Sequence, residues 1–353
     1  MLLFLVAAAA LCLRAPAAGD PGPALAALVR DLLQEGPWYY RPVQRWPSLQ
    51  RLLPQAWLRK MEARHDDLSQ VLRRDSAIHK LAAMGTNAWP AVPALARALR
   101  RGDVSVALAA AEGLAVIKAD EHPDWARVEQ RLNGQSTAAR AFDYLLVGRD
   151  QFGRRYDPTR RRFALVGLAA TGPAAGRAGS DVIDLLKSKE EAHELRALAP
   201  AALARIDAGK QQAVPLLKAV LRDAEEWPDV RAAAALALVS ASPADPETRA
   251  LLRQGLQDER ALVRLGAARG LWRLGVPAEE VLPTLGALLS HKLITVRTSA
   301  LHAVAEMGHA GLPLRAEVVR LTADDNESVR RLALGCLLRF PRESKAAPGW
   351  PGN

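Results

Sequence analysis

Apolar residues along most of this chain recur at three- and four-residue spacing, the period of an α-helix with one buried face. In "VRLGAARGLWRLG", Val263, Ala267, Leu271 and Leu274 fall on one such face. The phrase then returns. Val230-Arg231, Val263-Arg264, Val296-Arg297 and Val329-Arg330 each open an Ala/Leu-rich stretch, and each step is 33 residues. Six residues before each arginine stands Glu225, Asp258, His291 or Asp324. Eleven after it stands Ser242, Gly275 or Gly308, where a helix is expected to stop, glycine being the usual stop residue.

Each unit also has a first half. Val92-Pro93, Val214-Pro215, Leu282-Pro283 and Leu312-Pro313 sit at the head of apolar helical stretches such as "AVPALARALR". Proline is tolerated in the first helical turn, where its missing N–H has no partner to lose. Each proline is therefore expected to open a helix A, followed by an acidic turn and a helix B. The register extends backward through Arg196, with Glu190 six before it, and Arg162, with Tyr156 at the acidic place. Ala107 replaces the next arginine, and Arg74 opens a half-unit before it. One hairpin cannot bury its own stripe, so neighbours must stack. The expected fold class is all-α: a right-handed α-solenoid of about seven helical hairpins with an N-terminal capping segment.

The helix-A prolines, the inter-helix acids Glu225, Asp258 and Asp324, and the helix-B arginines Arg231, Arg264 and Arg330 together resemble the HEAT-repeat family. The resemblance is to the short, phycobilisome-lyase-like form found in bacterial proteins, and it spans residues 68–340. It implies a ladder in which acid and arginine bond between consecutive repeats, which bidentate Arg–carboxylate geometry suits. Glu190, Arg196, Glu225, Arg231, Asp258, Arg264, Arg297, Asp324 and Arg330 are its expected members. His291 departs from the pattern, so the ladder is expected to be weaker beside Arg297, and Arg264→Ala is expected to destabilise more than Arg297→Ala.

The ends are read differently. "MLLFLVAAAALCLRAPAAGD" has an apolar run too short to span a bilayer, which takes roughly 20 residues. It closes in Ala15-Pro16-Ala17-Ala18, the small-residue signature of a signal-peptidase site. Residues 1–18 are thus expected to be a signal peptide, with a buried or mis-started terminus as the other reading. Residues 19–67 form a helix and an aromatic, Pro-rich cap, 68–340 the array, with an extended connection at 134–157, and 341–353 a disordered tail. Removal of Cys12 with the leader leaves Cys336 alone, so no intramolecular disulfide is expected.

Net charge is +10, compatible with nucleic acid, an anionic surface or a solvated arginine face. Export moves chromosomal DNA down that order and moves acidic proteins and envelope polyanions up. No Gly-rich phosphate loop, Gly-x-Ser-x-Gly or His-Glu-x-x-His occurs. HEAT-like deoxyhypusine hydroxylases hold two irons with repeated His-Glu pairs, whereas here only His193-Glu194 exists, and His193 reads as a solvent-facing helix residue. No metal, cofactor or catalytic residue is therefore expected. Bilin-lyase-type and DNA-glycosylase-type enzymes, and a structural envelope spacer, remain the alternatives. The cluster "PWYYRPVQRWP" at 37–47 reads either as a cap or as a stacking platform.

The remaining expectation is an exported, periplasmic or secreted, non-enzymatic scaffold. It would bind a protein partner, acidic in character, through a concave helix-B face. Arg269 and His302 occupy equivalent places there, as do Arg273 and Glu306, with Trp272 beside them. The second contact is the arginine-rich insertion, where Arg149, Arg154, Arg155, Arg160 and Arg161 form a candidate anion patch, screened by salt. No transmembrane span is expected after leader removal.

Overall fold

The computed structural model describes residues 22–33, 68–101, 104–148, 155–206 and 210–340. The signal-peptide reading, the 37–47 aromatic cluster and the 341–353 tail lie outside them, as do Arg149 and Arg154. The described residues form helices joined by short connections, an all-α solenoid. They fall into two compact units that divide between Ala178 and Gly179, inside the expected array.

In the first unit, α1 (Pro23–Leu32) buries Leu25, Val29 and Leu32, and packs on α2 (Leu68–Met84). α3 (Val92–Arg101) pairs with α4 (Val104–Val116), and α5 (Trp125–Leu132) with α7 (Pro158–Thr171). Between the last two lies the first departure from expectation. The connection at 134–157 is not merely a long loop, because Ser136–Val147 forms a helix, α6, packed on both α4 and α7. Ala138, Phe142 and Leu145 follow helical spacing and are buried, and the Phe142 ring meets Phe163 at 5.9 Å. Burying that stripe is what places α6 in the core.

The second unit stacks five hairpins: α8 (Gly179–Lys187) with α9 (His193–Arg196) and α10 (Ala199–Arg205), α11 (Lys210–Arg222) with α12 (Pro228–Ala241), and α13 (Pro246–Gly255) with α14 (Ala261–Arg273). α15 (Ala278–Leu289) with α16 (Ile294–Met307), and α17 (Arg315–Arg320) with α18 (Glu327–Arg339), complete it. The first helix B is broken into α9 and α10 because Pro200 has no N–H to give the carbonyl four residues back. The B helices pack consecutively, α10 on α12 on α14 on α16 on α18. Gly266 permits a close approach of α14 to α12, since a Cβ there would lie 2.9 Å from the Ala232 carbonyl oxygen.

The prolines behave otherwise than expected. Pro93 does lie in the first turn of α3, but Pro215 and Pro283 sit inside α11 and α15, which begin upstream at Lys210 and Ala278. Pro313 lies in a 3-10 turn, Gly308–Leu314, ahead of α17. Glu279 and Glu280 supply a favourable acidic first turn to α15, which carries the helix start past the proline's own preference. The stops follow the register. Ser242 ends α12, and Gly275 and Gly308 take left-handed φ of 76° and 54° after α14 and α16. Eleven residues after Ala107 a positive φ, 50°, again falls at the stop, on Lys118, where no glycine is present.

The ladder exists, with corrected partners. Each engaged arginine reaches the acid of the following repeat, not that of its own. Arg231 Nη2 donates to Asp258 Oδ2 at 2.7 Å and to the Leu221 carbonyl that ends α11. Arg297 Nη2 donates to Asp324 Oδ1 at 2.9 Å. Arg196 Nη2 donates to Glu226 Oε2 at 2.6 Å, with both side chains only 2% exposed. Glu226, not Glu225, holds that rung, and Glu225 is exposed. Glu190 is likewise exposed, not the partner of Arg196. Arg264 and Arg330 instead donate to the backbone carbonyls of their own turns, Asp258 and Glu259 for one, Asp324 and Asp325 for the other. Because rungs run forward, the gap left by His291 falls on Arg264 and not on Arg297. The expected order of the two alanine variants is thereby reversed. In the first unit Arg162 pairs with Asp120 at 2.6 Å.

Candidate functional site

The helix-B row of the second unit presents a face built by the 33-residue step. Val239, Trp272, Ala305 and Leu338 stand at equivalent places on α12, α14, α16 and α18. The first three are half-buried and Leu338 is 84% exposed. They form a mainly apolar column. Beside it, on one and the same side, run Arg273, Glu306 and Arg339, with Arg269 and His302 one turn before Arg273 and Glu306. Leu238, Leu271 and Val304, one residue before the column, are buried, so the column flanks the core and lies between it and the charged side.

The expected residues of this face are brought together in part. Arg269 and Arg273 both pair with Glu306, Arg273 Nη2 lying 3.3 Å from Oε1. Burial alone would raise the Glu306 carboxyl, yet the two guanidinium groups hold it below the usual carboxylate range. Two arginines on one carboxylate leave the cluster with an excess positive charge. His302 is exposed and makes no hydrogen bond or ion pair among the described residues, and Trp272 offers a half-buried indole beside Arg269 and Arg273 in sequence.

The insertion arginines are differently placed. Of the five, Arg155, Arg160 and Arg161 are described. Arg160 pairs with Asp157, the N-cap of α7, whose Oδ1 also accepts from the Arg160 amide at 3.0 Å. Arg161 Nε donates to the Leu146 carbonyl at the end of α6, and Arg155 is engaged as well. Tyr156, at the place the register reserves for an acid, bonds Glu112 on α4, and burial with that carboxylate raises its phenol. Arg161 thus ties α7 to the end of α6, while Arg160 closes the N-cap of α7 and Tyr156 reaches α4.

One cluster escaped the sequence reading. His193 is not simply solvent-facing: its ring stacks on Trp227 at 4.1 Å and 12°, and its Nδ1 lies 2.8 Å from Asp229 Oδ2. Trp227 stays 54% exposed. The two residues are 34 apart, close to the repeat step, so their juxtaposition was the available signal. Among the described residues, no three of His, Cys, Asp and Glu gather as metal ligands, and no helix is long and apolar enough to cross a membrane.

Residues 249–339 match a family model described as HEAT repeats. No curated protein matches the chain. Among solved structures, human deoxyhypusine hydroxylase in complex with glycerol aligns at 18% identity and TM-score 0.37, covering 71% of this chain and 96% of that one. A mutant of Kap121p aligns at 15% identity and TM-score 0.38, and the karyopherin Kap121p bound to the SUMO protease Ulp1p at 14% and 0.39. Each covers 92% of this chain, which spans 38% of the Kap121p chains. The stretch from within α13 to the end of α18 is built of HEAT repeats.

Proposed function

We propose that this chain is an exported, non-enzymatic HEAT-repeat scaffold that binds a protein partner through the helix-B face of its second unit. The observation that carries the reading is the column Val239, Trp272, Ala305 and Leu338, half-buried on α12, α14 and α16, open on α18 and edged by Arg269, Arg273 and Arg339. A solenoid stacks repeats to bury one stripe, and an apolar residue repeated on the other stripe is not needed for that core. The surplus of arginine over acid on the edge favours an acidic partner. Trp272 is the anchor, since a large aromatic gains most on leaving water.

In-cell crosslinking with the mature protein as bait, followed by affinity isolation, tests this. A partner captured by the native chain and lost with Trp272→Ala plus Leu338→Ser, at unchanged helical circular dichroism, is the expected result. A partner retained by that variant overturns the assignment of the face.

A further inference from the structure

The first unit carries a second surface that no repeat pattern announces. Where α6 packs on the turn Gly172–Ala178, an open groove of about 590 Å³ runs between them. Its floor is short-chained: Ala139, Ala175 and Ala178 are buried, and Ala174 half-buried. The small side chains let helix and turn approach closely while leaving a trough above them. Tyr144 and Val147, both 48% exposed, stand one turn apart on the α6 side.

Two exposed arginines line the same groove, Arg140 from α6 and Arg177 from the turn. Neither makes a hydrogen bond or ion pair among the described residues, in contrast to Arg160, Arg161 and Arg162 nearby in sequence. Asp143, half-buried in the lining, is already engaged within the protein. The trough thus combines a narrow apolar floor with two available guanidinium groups arising from different elements. Guanidinium groups are weakly hydrated and bond carboxylates through a planar fork, so a carboxylate reaches them at little desolvation penalty.

We propose that this groove is a peptide-binding site for an acidic, leucine-type segment of a protein partner. Carboxylates seat on Arg140 and Arg177, and an apolar side chain rests on the alanine floor beside Tyr144 and Val147. Nucleic acid is the poorer fit, since it draws its affinity from many phosphate contacts and has no use for an alanine floor. The site is separate from the helix-B face, and the proposal stands whether or not that face binds.

Fluorescence anisotropy on the full chain tests it, with a fluorescein-labelled Glu/Leu peptide as probe. A Lys/Leu peptide and a single-stranded oligonucleotide serve as comparators. The Glu/Leu peptide is expected to bind alone among the three, more weakly as salt rises. Its Kd is expected to rise about tenfold or more in Arg140→Glu/Arg177→Glu, and in Ala174→Trp, which fills the trough. Arg127→Glu/Arg131→Glu on α5 carries the same change in net charge and is expected to leave the Kd unchanged. Trp272→Ala is expected to leave it unchanged too, which separates this site from the helix-B face. Should charge reversal prevent folding, Arg140→Gln/Arg177→Gln gives the same reading. Absence of peptide binding, equal losses in both charge-reversed pairs, or an oligonucleotide bound through the same arginines overturns the proposal.

Discussion

Arg231 on α12 and Asp258 in the turn of the following repeat form a two-bond pair, Nη1 at 3.3 Å and Nη2 at 2.7 Å. The same guanidinium caps the carbonyl of Leu221 through Nε and Nη2. One side chain, 8% exposed, therefore closes its own hairpin and fastens the next.

Arg231→Ala is expected to destabilise the protein by about 3 kcal/mol, because it leaves a poorly hydrated carboxylate and an unpaired helix end. Arg264→Ala removes only bonds to two carbonyls of its own turn and is expected to lose about 1 kcal/mol. Chemical denaturation of both variants measures the difference. Equal losses would mean that the inter-repeat pair adds nothing.

The gap opposite Arg264 can be filled. His291 occupies the place that Asp258 and Asp324 hold in neighbouring repeats. His291→Asp is expected to accept from Arg264 as Asp324 accepts from Arg297, raising stability by about 1 kcal/mol. The gain should vanish when Arg264→Ala is added, and a double-mutant cycle with no coupling sinks the idea.

Lys118 takes a positive φ, as Gly275 and Gly308 do at the equivalent stops, and lies in the left-handed helical region with φ 50° and ψ 52°. An L-residue pays roughly 1–2 kcal/mol there, partly offset by the freedom glycine has when unfolded. Lys118→Gly is expected to raise the thermal midpoint, whereas Gly275→Ala should lower it. Scanning calorimetry on the two variants reads both signs.

Burial would raise the Glu226 carboxyl, but hydrogen bonds from Arg196, Lys189 and the Trp227 amide bring it to about 2, from an ordinary 4.5. A folded-state value below the unfolded one contributes stability that is whole above the unfolded value. That contribution is lost as pH falls from about 4.5 towards 2. Denaturation midpoints followed across that window should drop steeply in the native chain and less steeply in Glu226→Gln. Parallel slopes would remove Glu226 from the account.

Export has its own test. The mature chain from the native host should begin at Ala18 or Gly19, as mass spectrometry of its N-terminal peptide will show. An intact Met1 in soluble cytosol would withdraw export and revive the enzyme alternatives.

The repeat, its helical hairpins and its stops were legible in the sequence because they are local. A stripe such as Val263, Ala267 and Leu271, or a glycine eleven residues after an arginine, depends only on its own turn of chain. The helix-B face was half legible for the same reason: Trp272 and Arg273 could be placed by counting, but the exposure of Leu338 could not. Partner choice across repeats was not local. Glu225 stands in register, yet its neighbour Glu226 is the residue packing turns toward Arg196. A rung from Arg231 to Asp258 joins two hairpins, a relation that no single repeat contains. The helix α6 likewise shows a legible stripe, Ala138, Phe142 and Leu145, but only the surfaces of α4 and α7 make it part of the core. Its place against the 172–178 turn is what opens the groove between Arg140 and Arg177, residues that the sequence keeps 37 apart. Local spacing thus determined the elements, and side-chain packing between them decided which charges meet and which stay available.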